Sequence, residues 1–453
     1  MTARFWAEPL RFTGANRGGM SALSIICWAQ ILMVVANLGR IPLVSTGDRN
    51  VPVTLNELCL GAILATAMLA ALSARALRLD RVALTVLAFV VIGGGSAIWS
   101  VFRFDLTAFE LLVALSYLAR WVLYFGIYIA VTNVVREGGV EKLWLALETM
   151  LIIFAVFGIM QSAFLPNFAQ TVYPESREYI DWDPQGHRLV STVLEPNIAA
   201  AMLMIGLLVQ LARTSVGAPV GRWRILVVFV ALTLTLSRSG ALGFVAGLIV
   251  LIAARGLSRR VVRMAIVAGG LGLAFSPLLI QYAVAYSKFT FGLGSSAGAR
   301  VVSWLMTLRV IADFPIFGVG FNAYKFAVRH YGSEQIGASS YAADGGLLFI
   351  MAMTGIIGLL VYCVMLGQIL ARCRSIWRDG TVVPAQRGLA IGAAAATVGV
   401  VVQSAFVNAI LTTMVMEMLW ILWGITFVIA RARDARTASH GGAIPSRVVA
   451  PAA

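Results

Sequence analysis

Twelve apolar runs joined by short polar segments leave this chain few ways to fold. They lie near 20–39, 54–73, 82–100, 108–133, 143–165, 191–212, 225–236, 240–254, 262–283, 345–371, 388–410 and 413–430. About 20 residues at a rise of about 1.5 Å cross the roughly 30 Å of bilayer hydrocarbon, so most of these runs suit a membrane span. With 60% hydrophobic and only 12% charged residues, the 453-residue chain is excluded from the soluble globular class. The expectation is an all-α polytopic membrane helical bundle of about 12 transmembrane helices, forming one domain over 1–453. Two larger connections, 166–190 and 285–344, contain aromatic and apolar residues and are expected to be external loops with short amphipathic helices. The stretch 434–453 reads as a flexible cytoplasmic tail. The N-terminal segment carries Arg4, Arg11 and Arg17 but no short apolar core before a small-residue cleavage site, so no removable signal peptide is expected.

Orientation follows from the 35 Lys and Arg residues. Short cytoplasmic loops retain positive charge. Placing the N-terminus inside gathers most of them on one side, among them Arg75, Arg78 and Arg81, then Arg255, Arg259, Arg260 and Arg263, then Arg372 to Arg387. Both termini are therefore expected in the cytoplasm. The region 225–254 sharpens the argument, because Arg222 and Arg224 precede it and Arg255 follows it. Both flanks favour the same leaflet, so two short spans turning at Ser237–Gly240 are expected, with Arg238 at or just below the outer surface.

The net charge of +15 thus belongs to a surface that faces anionic lipid, and nucleic acid is not an expected partner. Cys27, Cys59, Cys363 and Cys373 form no disulfide framework or metal-binding spacing, and the three histidines form no motif. No metal and no cofactor is expected.

Polar residues on the expected outer side gather in four stretches. The first is HRLVSTVLEPN, with His187, Arg188, Glu195 and Asn197; the second is LSRSG, around Arg238. The third opens with Arg300 and Trp304, one helical turn apart, and closes on PIFGVG; the fourth begins at Asp344 and includes Gly355 and Gly358, read as close-packing glycines. Arginines converging from separate stretches suit an anion larger than a carboxylate, since a guanidinium matches phosphate oxygens bidentately and keeps its charge when desolvated. At a membrane surface a polyprenyl-linked diphosphate fits. Its displacement from a sugar carbon by an acceptor hydroxyl would need cations at the leaving group and a carboxylate or imidazole for the proton.

The order of PN after a long external loop, LSRSGALG at a short helical turn, R-x3-W, PIFGVG, and a polar pair nine residues before GIIG resembles the bacterial O-antigen ligase and polysaccharide polymerase family, best over 188–358. The resemblance implies a GT-C-type membrane glycosyltransferase that uses undecaprenyl-diphosphate-linked glycans on the periplasmic side and transfers them to an acceptor glycan or glycolipid. Flippase and chain-length regulator partners are implied with it. Diphosphate binding would carry over to Arg238, Arg300 and Arg188, with Glu195, Asn197, Trp304 and His330 in support. The family's histidine and small polar residue are replaced here by Asp344 and Gly345. Asp344 becomes the expected catalytic base, and polymerisation of O-antigen or exopolysaccharide repeat units is favoured over ligation to a lipid A core.

Each residue also has a structural reading. Arg238 can snorkel to the interface while Ser237 or Ser239 caps a helix, Arg300 and Trp304 can anchor an amphipathic helix, and Asp344, Glu195 and Asn197 can cap or turn. Arg120 and Glu148 fall inside spans, where pairing would explain them structurally. A transporter or flippase for the same lipid is the competing class, although its ionisable groups would concentrate near the midplane.

Overall fold

The computed structural model describes residues 24, 27, 55–73, 79–172, 187–255, 296–329 and 343–441. Among these the protein is all-α: α1 (Leu55–Ser73), α2 (Arg81–Phe104), α3 (Ala108–Val134), α4 (Val140–Phe164), the short α5 (Phe168–Val172), α6 (Pro196–Ser215), α7 (Arg222–Leu234), α8 (Arg238–Arg255), α9 (Ser296–Asp313), the short α10 (Tyr324–Val328), α11 (Gly346–Arg378), α12 (Pro384–Gln403) and α13 (Thr413–Gly441). Among the described residues eight helices are long and apolar enough to cross a membrane, against twelve apolar runs in the whole sequence. The run 225–236 is one reason for the difference, because α7 has 13 residues and spans about 20 Å. The runs 20–39, save Ser24 and Cys27, and 262–283 lie outside the described residues. The helix α13 continues through the start of the stretch 434–453 to Gly441.

Helix starts follow local chemistry. Asp80 caps α2 by accepting from the Ala83 amide, and Thr107 with Glu110 forms a reciprocal capping box on α3. Successive long helices run antiparallel, which gathers the chain's joints at two ends. The basic end holds residues near 80, 135–140, 215–222, 378–384 and 431–436, and the far end holds those near 105, 165, 195, 236, 344 and 404–412. Contacts such as Thr85 with Gln368 and Ser96 with the Met353 carbonyl fix this alternation.

At the centre, α6 is buried almost throughout and packs against α8 and α12. Small residues permit the approach. A Cβ on Gly243 would lie 2.6 Å from the Gly399 carbonyl oxygen, and one on Gly399 would lie 2.8 Å from that of Gly243.

Arg120 and Glu148 are each paired, though not with each other. Arg120 meets Glu57 at 3.2 Å. Glu148 takes Arg224 at 2.6 Å and the Gln210 amide at 3.1 Å.

The helix α11 is broken at Gly355, where φ is 66° and ψ is −172°. The Pro315–Gly320 loop fills the break as a strand would: Val319 and Gly320 donate their amides to the Ala352 and Met353 carbonyls at 2.8 and 3.0 Å, and Ile356 donates to the Pro315 carbonyl at 2.8 Å. Groups freed within an apolar layer need such partners. Ser96 of α2 adds its hydroxyl, donating to the Phe317 and Met353 carbonyls. A Cβ on Gly355 would sit 1.9 Å from the Ile316 carbonyl oxygen, so the glycine is a backbone requirement as well as a packing choice.

Candidate active site at the far end

Two polar clusters form at the far end. In the first, Glu195 caps α6 with both carboxylate oxygens, accepting from the Asn197 amide at 3.1 Å and the Ile198 amide at 2.6 Å, and from Asn197 Nδ2 at 2.8 Å. Asn197 is thereby oriented so that its Oδ1 accepts from Ser237 Oγ at 2.8 Å. Ser237 caps α8 by accepting from the Gly240 amide at 3.1 Å, and its hydroxyl lies 3.2 Å from that of Ser239. The turn between α7 and α8 is tight enough to put Leu236 at positive φ. Arg188 is buried behind this turn, with Nε donating to the Thr235 carbonyl at 2.9 Å, while the Leu189 amide donates to the Leu234 carbonyl. Arg238, the first residue of α8, is exposed, and its guanidinium has no ion pair or hydrogen bond among the described residues.

The second cluster joins α9 to the start of α11. Ser303 Oγ accepts from the Asp344 amide at 2.9 Å, and Asn408 Nδ2 donates to the Ala343 carbonyl at 2.6 Å. The Ala343–Asp344 peptide is thus held at both its carbonyl and its amide. Burial raises the Asp344 carboxyl above the ordinary carboxylate range, and the Arg300 charge pulls it partly back. Arg300 is half-buried and has no ion-pair partner among the described residues. The indole of Trp304 stands beside Gly345, and its ring centroid is 5.9 Å from that of Phe406. His330 lies outside the described residues.

The turn that follows α12 connects the clusters. Gln403 Nε2 donates to the Asn197 carbonyl at 2.8 Å on one side, and the Ser404 carbonyl accepts from the Gly346 amide at 2.5 Å on the other. Sequence reasoning missed this element, because 388–410 reads as one apolar run. A signal was present in the polar Gln403, Ser404 and Asn408, which follow a long series of Ala, Gly and Val.

The arrangement offers two cations without ion-pair partners among the described residues, a raised carboxyl on a braced backbone, and a hydroxyl–amide network at one end of a membrane bundle. That set can hold a phosphorylated ligand and accept a proton beside it. No curated protein matches the chain. Residues 224–363, which run from the start of α7 through the first half of α11 and include Arg238, Arg300, Trp304 and Asp344, match the family model described as O-Antigen ligase.

Proposed function

We propose that this membrane protein transfers a glycan from a polyprenyl-diphosphate carrier, undecaprenyl diphosphate in bacteria, to an acceptor hydroxyl at the far end of the bundle. One observation carries the reading: Arg238 and Arg300 have no ion-pair partners among the described residues and stand on elements joined, together with Asp344, by a single turn. Unpaired guanidinium groups kept near an apolar layer suit a ligand that brings its own negative charge.

In the proposed step the bond between the sugar's anomeric carbon and the diphosphate oxygen breaks, and its electron pair leaves with the diphosphate. The acceptor oxygen forms the new bond to that carbon and passes its proton to the Asp344 carboxylate. Arg238 and Arg300 stabilise the charge growing on the leaving group, with Arg188 bracing the turn from behind. The excess of Lys and Arg at the opposite end supports a bacterial inner-membrane orientation with both termini in the cytoplasm and the site facing the periplasm.

The matched family favours ligation, in which a finished glycan passes to a glycolipid or other acceptor. Polymerisation of repeat units is the second reading, favoured by the Asp344–Gly345 pair where the resembled ligases carry histidine. Reconstitution of the full chain in vesicles with a defined undecaprenyl-diphosphate oligosaccharide tests both. Transfer to an added glycolipid supports ligation, and a ladder growing on the lipid supports polymerisation. Movement of the lipid across the bilayer without any new glycosidic bond would replace both readings with a flippase.

A further inference from the structure

The turn after α12 does more than join two clusters. Trp304 Nε1, Gln403 Oε1 and Asn408 Oδ1 are buried polar atoms without hydrogen-bond partners among the described residues. Buried polar groups are nearly always satisfied, and of the ten exceptions among the described residues three gather on this turn and the helix beside it. They comprise one donor and two acceptors, all uncharged. Such a set is poorly suited to an anion and well suited to hydroxyl groups, each of which can both donate and accept. Trp304 and Phe406 add two aromatic rings in contact, a surface on which the C–H face of a sugar ring can pack. Trp304, Phe406 and Asn408 are half-buried and so reach the surface, whereas Gln403 is fully enclosed.

We infer that Trp304, Phe406 and Asn408 form a saccharide subsite that reads the acceptor glycan, distinct from the arginines that hold the carrier. The inference rests on the transfer reaction proposed above and adds the division of labour within it. Asn408 couples the two tasks, because the same amide that offers Oδ1 to a hydroxyl donates Nδ2 to the carbonyl preceding Asp344. An acceptor seated on this wall therefore meets the carboxylate that takes its proton.

The test uses the full chain in vesicles with an undecaprenyl-diphosphate oligosaccharide as donor and a free oligosaccharide of the same sugars as acceptor. Initial rates are measured against acceptor concentration, and binding of undecaprenyl diphosphate is measured separately. Phe406→Leu, which keeps bulk and removes the ring, and Asn408→Ala are each expected to raise the acceptor KM about tenfold, the loss of one contact or hydrogen bond of this kind. Carrier binding should stay at the wild-type value, and Phe406→Trp should restore most of the acceptor affinity. An unchanged acceptor KM in both variants, or a loss confined to carrier binding, overturns the subsite while leaving the transfer reaction standing. Absence of transfer by the wild-type chain removes the proposed function itself, and the subsite with it.

Discussion

Arg238 and Arg300 at the far end differ from the arginines that lock helices together at the basic end. At the basic end several guanidinium groups tie helices together: Arg213 takes Glu141 in two parallel bonds, Arg436 takes Glu137, Arg433 reaches Asp379 and Asp434, and Arg372 joins Asp80 while donating to the Tyr128 hydroxyl, while others there, such as Arg374 and Arg378, have no ion pair among the described residues. At the far end Arg329 pairs with Glu110, yet Arg238 and Arg300 are left without ion pairs among the described residues. Matched charges consume one another and hold helices in register. Unmatched charges beside an apolar layer stay costly until something else neutralises them, which suits Arg238 and Arg300 to the proposed binding of an anion.

The largest effect that could break this comparison concerns the unmatched arginines. Arg238→Ala or Arg300→Ala should lower glycan transfer about 100- to 1,000-fold, the usual loss when a group stabilising transition-state charge is removed. Protein abundance should not change, and Lys at either position should restore only part of the rate. Transfer at the wild-type rate in both alanine variants, measured by product formation in vesicles, would erase the distinction between the two groups of arginines.

The reverse behaviour is expected of a matched residue. Glu148→Ala strands Arg224 and the Gln210 amide, and should cost roughly 2–3 kcal/mol of stability, less than a fully buried pair because Arg224 is partly exposed. Thermal unfolding in detergent measures that loss. The rate per folded molecule should remain at the wild-type level.

A smaller effect sharpens the far end. Asp344 accepts a proton only when ionised, so activity should fall as pH drops through its raised pKa, at a higher pH than an ordinary aspartate would give. Arg300 lowers that pKa. Removing its charge should therefore move the acid limb of the remaining activity further upward, and pH–rate profiles of the wild type and Arg300→Ala compare the two directly. A downward or absent displacement would mean that Arg300 does not act on Asp344.

Much of the bundle is legible in the sequence because apolar length is a local property. The run at 82–100 becomes α2, and the basic flanks of 225–254 locate the turn at Ser237 without any tertiary information. Partners are not local. Glu148 finds Gln210 and Arg224 at separations of 62 and 76 residues, and nothing in its neighbourhood names either. Asp344 and Arg238 stand out as polar residues in apolar surroundings, whereas Asn408 becomes informative only once its amide is seen on the Ala343 carbonyl. Gly355 is legible as a small residue but not as a break, since its positive φ takes meaning from a loop 35 to 40 positions earlier.

That break has a mechanical consequence. Because the Pro315–Gly320 loop takes over the bonds that would have carried α11 straight through, the nine residues from Gly346 to Thr354 form a short stub splinted to the α9–α10 connection. The long rod below, Ile356–Arg378, anchors through Asp80 and Tyr128 at the other face. Stub and rod are thus tied to one loop rather than to each other, Val319 and Gly320 holding the first and the Pro315 carbonyl the second, so the direction of the Asp344 end is set by the α9–α10 connection and not by the rod alone.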